Sequence, residues 1–193
     1  MNRVLGALAL ALLISGCGGN YSAPRNLENA CSIVEQRPKY LSAMRRTEQR
    51  WGVPVAVQMA TIHQESKFIG NARTPHTFAL GIIPMGRMSS AYGYSQAIDG
   101  TWEDYKRATG RRGARRDNIR DATDFMGWYM DQTQKRLGIS KGDTRNQYLA
   151  YHEGHSGYAR GSHFRKDWLM GVSARVASRA QTYNEQLIAC QKV

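Results

Sequence analysis

PVAVQMATIHQES, residues 54–66, is the stretch whose reading decides the fold. Pro54 suits a helix start, because its fixed φ and missing N–H cost nothing in a first turn. Val55 to Glu65 then continue as an apolar-rich helix, which puts Glu65 in the last turn. There the carboxyl meets the negative end of the helix dipole, which disfavours the anion by roughly 0.3–1 kcal/mol. That is under about one pKa unit. A carboxyl that is to donate a proton near neutral pH must still hold it there, so apolar burial must supply the rest. Ile62, Phe68 and Ile69 are the expected wall residues. Taken alone, the segment reads as a solvated glutamate at a helix end.

Two further segments alter that reading. Ala91-Tyr92-Gly93-Tyr94-Ser95-Gln96 lies about thirty residues on, and Ala150-Tyr151-His152-Glu153-Gly154 closes a later helical stretch. Taken in order with Glu65-Ser66, they resemble the soluble lytic transglycosylase family, over about Arg45 to Gly161. The resemblance implies a mainly α, single lysozyme-like domain of the goose type. It also implies cleavage of peptidoglycan glycan strands between N-acetylmuramic acid and N-acetylglucosamine, leaving 1,6-anhydro-muramyl ends without a cofactor or metal. Glu65 matches the family's catalytic acid/base and Ser66 its orienting neighbour. Gln96, with the backbone at Tyr94 and Ser95, matches the groove for the N-acetyl group, and Tyr151 the floor near the acid. The chain departs from the pattern at Tyr94-Ser95, which stands for Leu-Met, and at His152, which stands for Asn. Glu153 adds a second carboxylate at the site, counted with Ser66, Tyr94, Ser95, Gln96 and Tyr151 among the substrate-binding candidates, and is expected at the surface rather than as a second catalytic group. Within this resemblance a lysozyme-type hydrolase is the alternative, and a binding protein that has lost turnover is another.

Working outward, the pattern is helical nearly throughout. Helices are expected over about Leu27–Gln36, interrupted by Pro38, and over Lys39–Arg50, ending near Gly52. Gly70 to Ser90 has weak periodicity and reads as a long loop or short hairpin. Thr101 with Asp104 reads as a capping box for the following helix. Further helices are expected over Asp121–Leu137, from Asp143-Thr144 to Gly154, and over Asp167–Cys190.

The first residues bear on compartment. Met1-Asn2-Arg3 is a short positive start, and Val4 to Ile14 is apolar but too short to span a bilayer. Ile14-Ser15-Gly16-Cys17 resembles the lipobox of bacterial lipoproteins. That implies a signal peptide over 1–16, lipidation at Cys17, a tether over 17–25 and a catalytic domain over 26–193. With Gly18-Gly19 after the cysteine, the pattern resembles outer-membrane sorting, so the expected place is the cell envelope, facing the periplasm. The formal charge of +12 attracts polyanions. Outside the cytoplasm those are envelope polymers or lipid rather than nucleic acid, including for the run Arg111, Arg112, Arg115, Arg116, Arg120. Oligomeric state is not legible. Cys31 and Cys190 remain for one disulfide, since Leu27, Cys31 and Val34 share one helical face and Val176, Ala180, Tyr183, Leu187 and Cys190 another. His152-Glu-Gly-His155 is one residue short of a zinc helix motif, with Gly154 inside it, so no metal is expected.

Overall fold

The computed structural model describes residues 21–79 and 83–192. Cys17 and the segment read as signal peptide lie outside the described residues. The elements in chain order are α1 (Ala30–Gln36), α2 (Pro38–Trp51), α3 (Val55–Ser66), β1 (His76–Ala79), β2 (Ile83–Arg87), α4 (Asp99–Thr109), α5 (Ile119–Leu137), α6 (Thr144–Ala159), a 3-10 turn (Ser162–Arg165) and α7 (Asp167–Ala189). The fold is mainly α, as expected. β1 and β2 pair antiparallel as one hairpin, so the Gly70–Ser90 stretch resolves into the second of the two alternatives.

Local chemistry accounts for most of the boundaries. Asn29 caps α1 by accepting the Ser32 N–H at 2.9 Å, and Asp143 caps α6 by accepting that of Asn146 at 3.1 Å. Gly52 and Gly138, both left-handed, close α2 and α5. The capping box at Thr101 and Asp104 is not used. α4 begins two residues earlier, at Asp99, whose N–H is satisfied at 3.0 Å by the hydroxyl of Ser90, a tertiary partner that replaces the local cap.

α3 forms the centre. Its residues from Val55 to His63 are all buried, so it is covered around its whole circumference rather than along one stripe, with the polar Gln58 and Thr61 donating to backbone carbonyls. α7 packs along it, burying Leu169, Val176, Ala180, Tyr183 and Leu187, and α2 packs on α5. Asp124 of α5 joins three elements. It accepts from Trp51 Nε1 at 3.0 Å and the Tyr105 hydroxyl at 2.7 Å, and pairs with Arg50 and Arg111 at 3.2 and 3.0 Å. Such a buried, fully partnered carboxylate is costly to strip of any one partner.

Cys31 and Cys190 form a disulfide that fastens α1 to the end of α7, with Cα atoms 6.4 Å apart. The supposed tether needs correction. Pro24 is buried, the Tyr21 carbonyl accepts the Gly70 N–H at 3.0 Å, and the Tyr21 hydroxyl donates to Asp117 at 2.9 Å. The Arg25 N–H also donates to Gln36 at 3.0 Å. Small, polar residues 21–25 look like linker in sequence, but they are pinned to the domain.

Candidate active site

Glu65 is the penultimate residue of α3, and its carboxyl opens on a cleft of about 690 Å³. The residue keeps partial exposure on that side. The rest of its surroundings are aromatic. Tyr148 and Tyr151 of α6 and Phe125 and Tyr129 of α5 line the cleft around it. The expected walls are therefore wrong in part: Ile62 and Phe68 are buried behind the cleft and Ile69 is 39% exposed. Desolvation lifts the Glu65 pKa from its ordinary 4.5 to about 7, against the opposing pull of a Tyr148 hydrogen bond and the Lys67 charge. The rise exceeds what the helix dipole alone can supply, and burial, acting in the same direction, is its largest cause.

The chain turns sharply as soon as it has delivered this carboxyl. Lys67 and Phe68 both have positive φ, at 51° and 61°, a conformation that costs a non-glycine residue about 1–2 kcal/mol. Packing holds it: Phe68 is 0% exposed and stacks on Tyr40 with centroids 5.8 Å apart.

Tyr148 and Tyr151 are three apart, on one face of α6. Tyr148 donates to Glu65, and Tyr151 donates to the Ser95 carbonyl at 2.6 Å. The Tyr129 hydroxyl donates to the Ala150 carbonyl at 3.3 Å, and its ring meets Tyr151 edge-on at 5.2 Å. Each phenol near the acid is thereby aimed by a backbone oxygen or by the acid itself. α6 then breaks at Gly154, with φ 73° and ψ 157°, a conformation essentially restricted to glycine. Gly154 interrupts the helix as expected, but helical turns resume through Ala159.

The Gly93 segment is shaped by one close approach. A Cβ at residue 93 would lie 2.1 Å from the Arg116 carbonyl, and φ is +80°, so only glycine fits. Gln96 lines the cleft while its amide nitrogen donates to the carbonyls of Ala72 and Gly93, at 3.0 and 2.7 Å. Tyr94 does not face the cleft: its N–H donates to Arg116 at 3.2 Å and its phenol meets the Tyr40 hydroxyl at 3.1 Å. Ser95 is fully buried, with its carbonyl taken by Tyr151. Ser66 is buried too, its hydroxyl donating to Ile62 in the turn above at 3.2 Å. Of the substrate-binding candidates, the structure brings Gln96, Tyr151 and Glu153 to the cleft beside Glu65, and Ser66, Tyr94 and Ser95 do not line it.

Glu153 corrects another expectation. Its side chain is only 3% exposed, not at the surface. Lys166 pairs with Oε1 at 2.7 Å, His152 Nδ1 lies 3.1 Å from the same oxygen, and Ser162 donates to Oε2. Desolvation pushes its pKa up, but those three partners outweigh it and hold the carboxyl at about 2. It is an ionised structural strut between α6 and the 3-10 turn. His152 and His155 do not converge. His152 meets Trp168 edge-on at 5.3 Å, whereas His155 stacks on Tyr129 at 4.3 Å and bonds Thr133 at 2.9 Å. No group of three or more metal-ligating side chains occurs among the described residues.

The arginine run is largely occupied within the protein. Arg111 pairs with Asp121 and Asp124, Arg115 with Asp117, and Arg116 with Asp99 at 2.7 Å. Sequence reasoning missed Tyr148 as the partner of Glu65 and Trp168 on the cleft rim. The three-residue spacing of Tyr148 and Tyr151 was the available signal for the first; Trp168 gave none.

Comparison with curated proteins finds no match. Comparison with family models matches residues 5–190 to the Transglycosylase SLT domain. That span takes in α3, the Gly93 segment and α6, so the cleft and its glutamate lie wholly inside it, and the chain belongs to the transglycosylase SLT domain family.

Proposed function

We propose that the protein is a peptidoglycan lytic transglycosylase that uses Glu65 as its only proton-transfer group. The observation that carries this reading is the seat of Glu65 at the end of α3, in a cleft lined by Tyr129, Tyr148 and Tyr151, where burial lifts its pKa to about 7. A carboxyl with that pKa is available in both protonation states near neutral pH, as an acid that later acts as a base must be. Glu65 protonates the glycosidic oxygen, and the bond from the muramyl C1 breaks. The resulting carboxylate takes the proton of the C6 hydroxyl as that oxygen closes on C1. The products are a 1,6-anhydro-muramyl end and a free N-acetylglucosamine hydroxyl. No water is consumed, and Glu65 ends protonated as it began.

The carboxylate inventory favours this route over hydrolysis. A glycosidase of the common two-carboxylate kind needs a second group as base or nucleophile. Glu153 is the other carboxylate on the cleft among the described residues, and both its oxygens are engaged by Lys166, His152 and Ser162. An intramolecular hydroxyl needs no such group.

Glu65→Gln keeps the shape and the Tyr148 contact but cannot exchange a proton, so turnover of purified sacculi should fall by at least ~10²-fold. Products of the parent, weighed by mass spectrometry, should carry anhydro-muramyl ends. Reducing muramyl ends would move the assignment to a lysozyme, and undiminished digestion by Glu65→Gln would overturn the role of Glu65. We also assign the chain to the envelope as a lipoprotein, on the Ile14-Ser15-Gly16-Cys17 signal. No helix among the described residues is long and apolar enough to cross a membrane.

A further inference from the structure

Two residues before Gln96, the Tyr94 phenol leaves the catalytic cleft and floors a second groove, of about 670 Å³. Its walls are the N-terminal part of α2, through Arg46, and the start of α5, and Tyr21 closes one edge. Four cations line it: Arg37, Lys39, Arg46 and Arg120. Lys39, Arg46 and Arg120 are exposed, and none has an ion pair among the described residues. The Arg37 guanidinium is turned inward onto Ser22 and the Gln36 carbonyl, with its buried Nε unpartnered. One carboxylate, Asp117, shares the groove, but it is neutralised by Arg115 at 2.9 Å and bonded by Tyr21. Such a groove suits an anion.

Chain connectivity selects which anion. Tyr21 is clamped at the groove's edge through Asp117 and Gly70, and Cys17 is four residues away. Four residues reach at most ~14 Å. A lipid on Cys17 thus holds this groove within about two Debye lengths of the headgroups, at ~8 Å each in physiological salt. An acyl anchor is commonly completed by a basic surface on the same side. We propose that the groove seats the domain on the membrane by binding anionic phospholipid headgroups, their phosphates against Arg37, Lys39, Arg46 and Arg120. The proposal rests on the lipoprotein reading of Cys17.

The test uses the full lipidated chain from envelopes, reconstituted on vesicles of phosphatidylcholine alone or of an equal mixture with phosphatidylglycerol. Flotation with the neutral vesicles reports the anchor. Amide hydrogen exchange over the first turns of α2 and α5 reports the groove. Each cation near an anionic leaflet contributes roughly five-fold in binding. Exchange in those turns should slow by at least about five-fold on the anionic vesicles, while α6 is unchanged, and ~1 M salt should abolish the effect. The double variant Arg46→Ala, Arg120→Ala should float normally on neutral vesicles but lose the slowing. Flotation without slowing on anionic vesicles overturns the proposal, as does slowing that survives in the double variant. A parent that fails to float on neutral vesicles overturns it through the anchor instead, a result the exchange data cannot mimic.

Discussion

Replacing Glu65 by Gln should stabilise the protein, and by an amount that depends on pH in a calculable way. In the folded chain the carboxyl titrates at about 7, against its ordinary 4.5, because burial penalises the anion. The folded pKa is the higher, so the folded state holds the proton more tightly. Below about 4.5 both states are protonated and the carboxyl contributes no penalty. Between the two values the unfolded chain ionises while the folded one does not, and stability falls by ~1.4 kcal/mol per pH unit. Above 7 both states are ionised and the full difference, up to about 3 kcal/mol, remains as a cost of folding. Gln has no such slope. Urea unfolding of parent and Glu65→Gln, disulfide intact and followed by tryptophan emission, should give nearly equal stabilities at pH 4. By pH 8 the variant should lead by as much as ~3 kcal/mol, or very roughly 6–12 °C in Tm for a domain of this size. Other titrating groups cancel in the difference. A gap that does not vary with pH, or one that favours the parent as pH rises, would refute the buried-acid argument.

Further expectations follow from neighbouring features. Activity on sacculi should fall as pH rises through about 7, where Glu65 loses its proton. Tyr148→Phe removes a hydrogen bond that favours the anion, so this alkaline limb should move to higher pH; a pH–rate profile checks the direction. Glu153→Gln, by contrast, should leave the limb where it is. Breaking the Cys31–Cys190 bond by Cys31→Ser should cost up to about 5 kcal/mol, the chain-entropy value for a loop spanning 159 residues, read from denaturation midpoints. Cys17→Ala should leave the protein unprocessed or release it from membranes on fractionation. Gly93→Ala should destabilise by roughly 3 kcal/mol or more, because the new Cβ meets the Arg116 carbonyl at a positive φ.

Much of the fold was legible because the helices are punctuated by residues with a local mechanism. Pro38, Gly52, Pro54, Gly138 and Asp143 act within one turn of where they stand. The misreadings share the opposite cause, a partner distant in sequence. The Asp99 N–H is satisfied by Ser90, not by a box at Thr101. Tyr21 looks like tether until Asp117 and Gly70 are brought to it. Glu153 follows a histidine in a polar stretch, and only Lys166 and Ser162, in a later turn, make it a buried strut. The site divides in the same way. Glu65 was legible from the order of three short segments, whereas the phenol that contacts it required α6 to be placed against α3.

The disulfide also has a bearing on when the protein becomes itself. By joining Cys31 to Cys190 it turns nearly all of the folded domain into a closed ring. A chain read as bound for export must thread a narrow channel while unfolded, and a ring cannot be threaded. In a reducing cytoplasm the two thiols would stay apart, and a precursor there would lack the stabilisation that the ring supplies. If the chain is exported as proposed, the ring closes and the fold locks only after passage into an oxidising space. On the proposed reading, a glycan-cleaving activity built this way would be locked only after export, on the side of the membrane where its substrate lies.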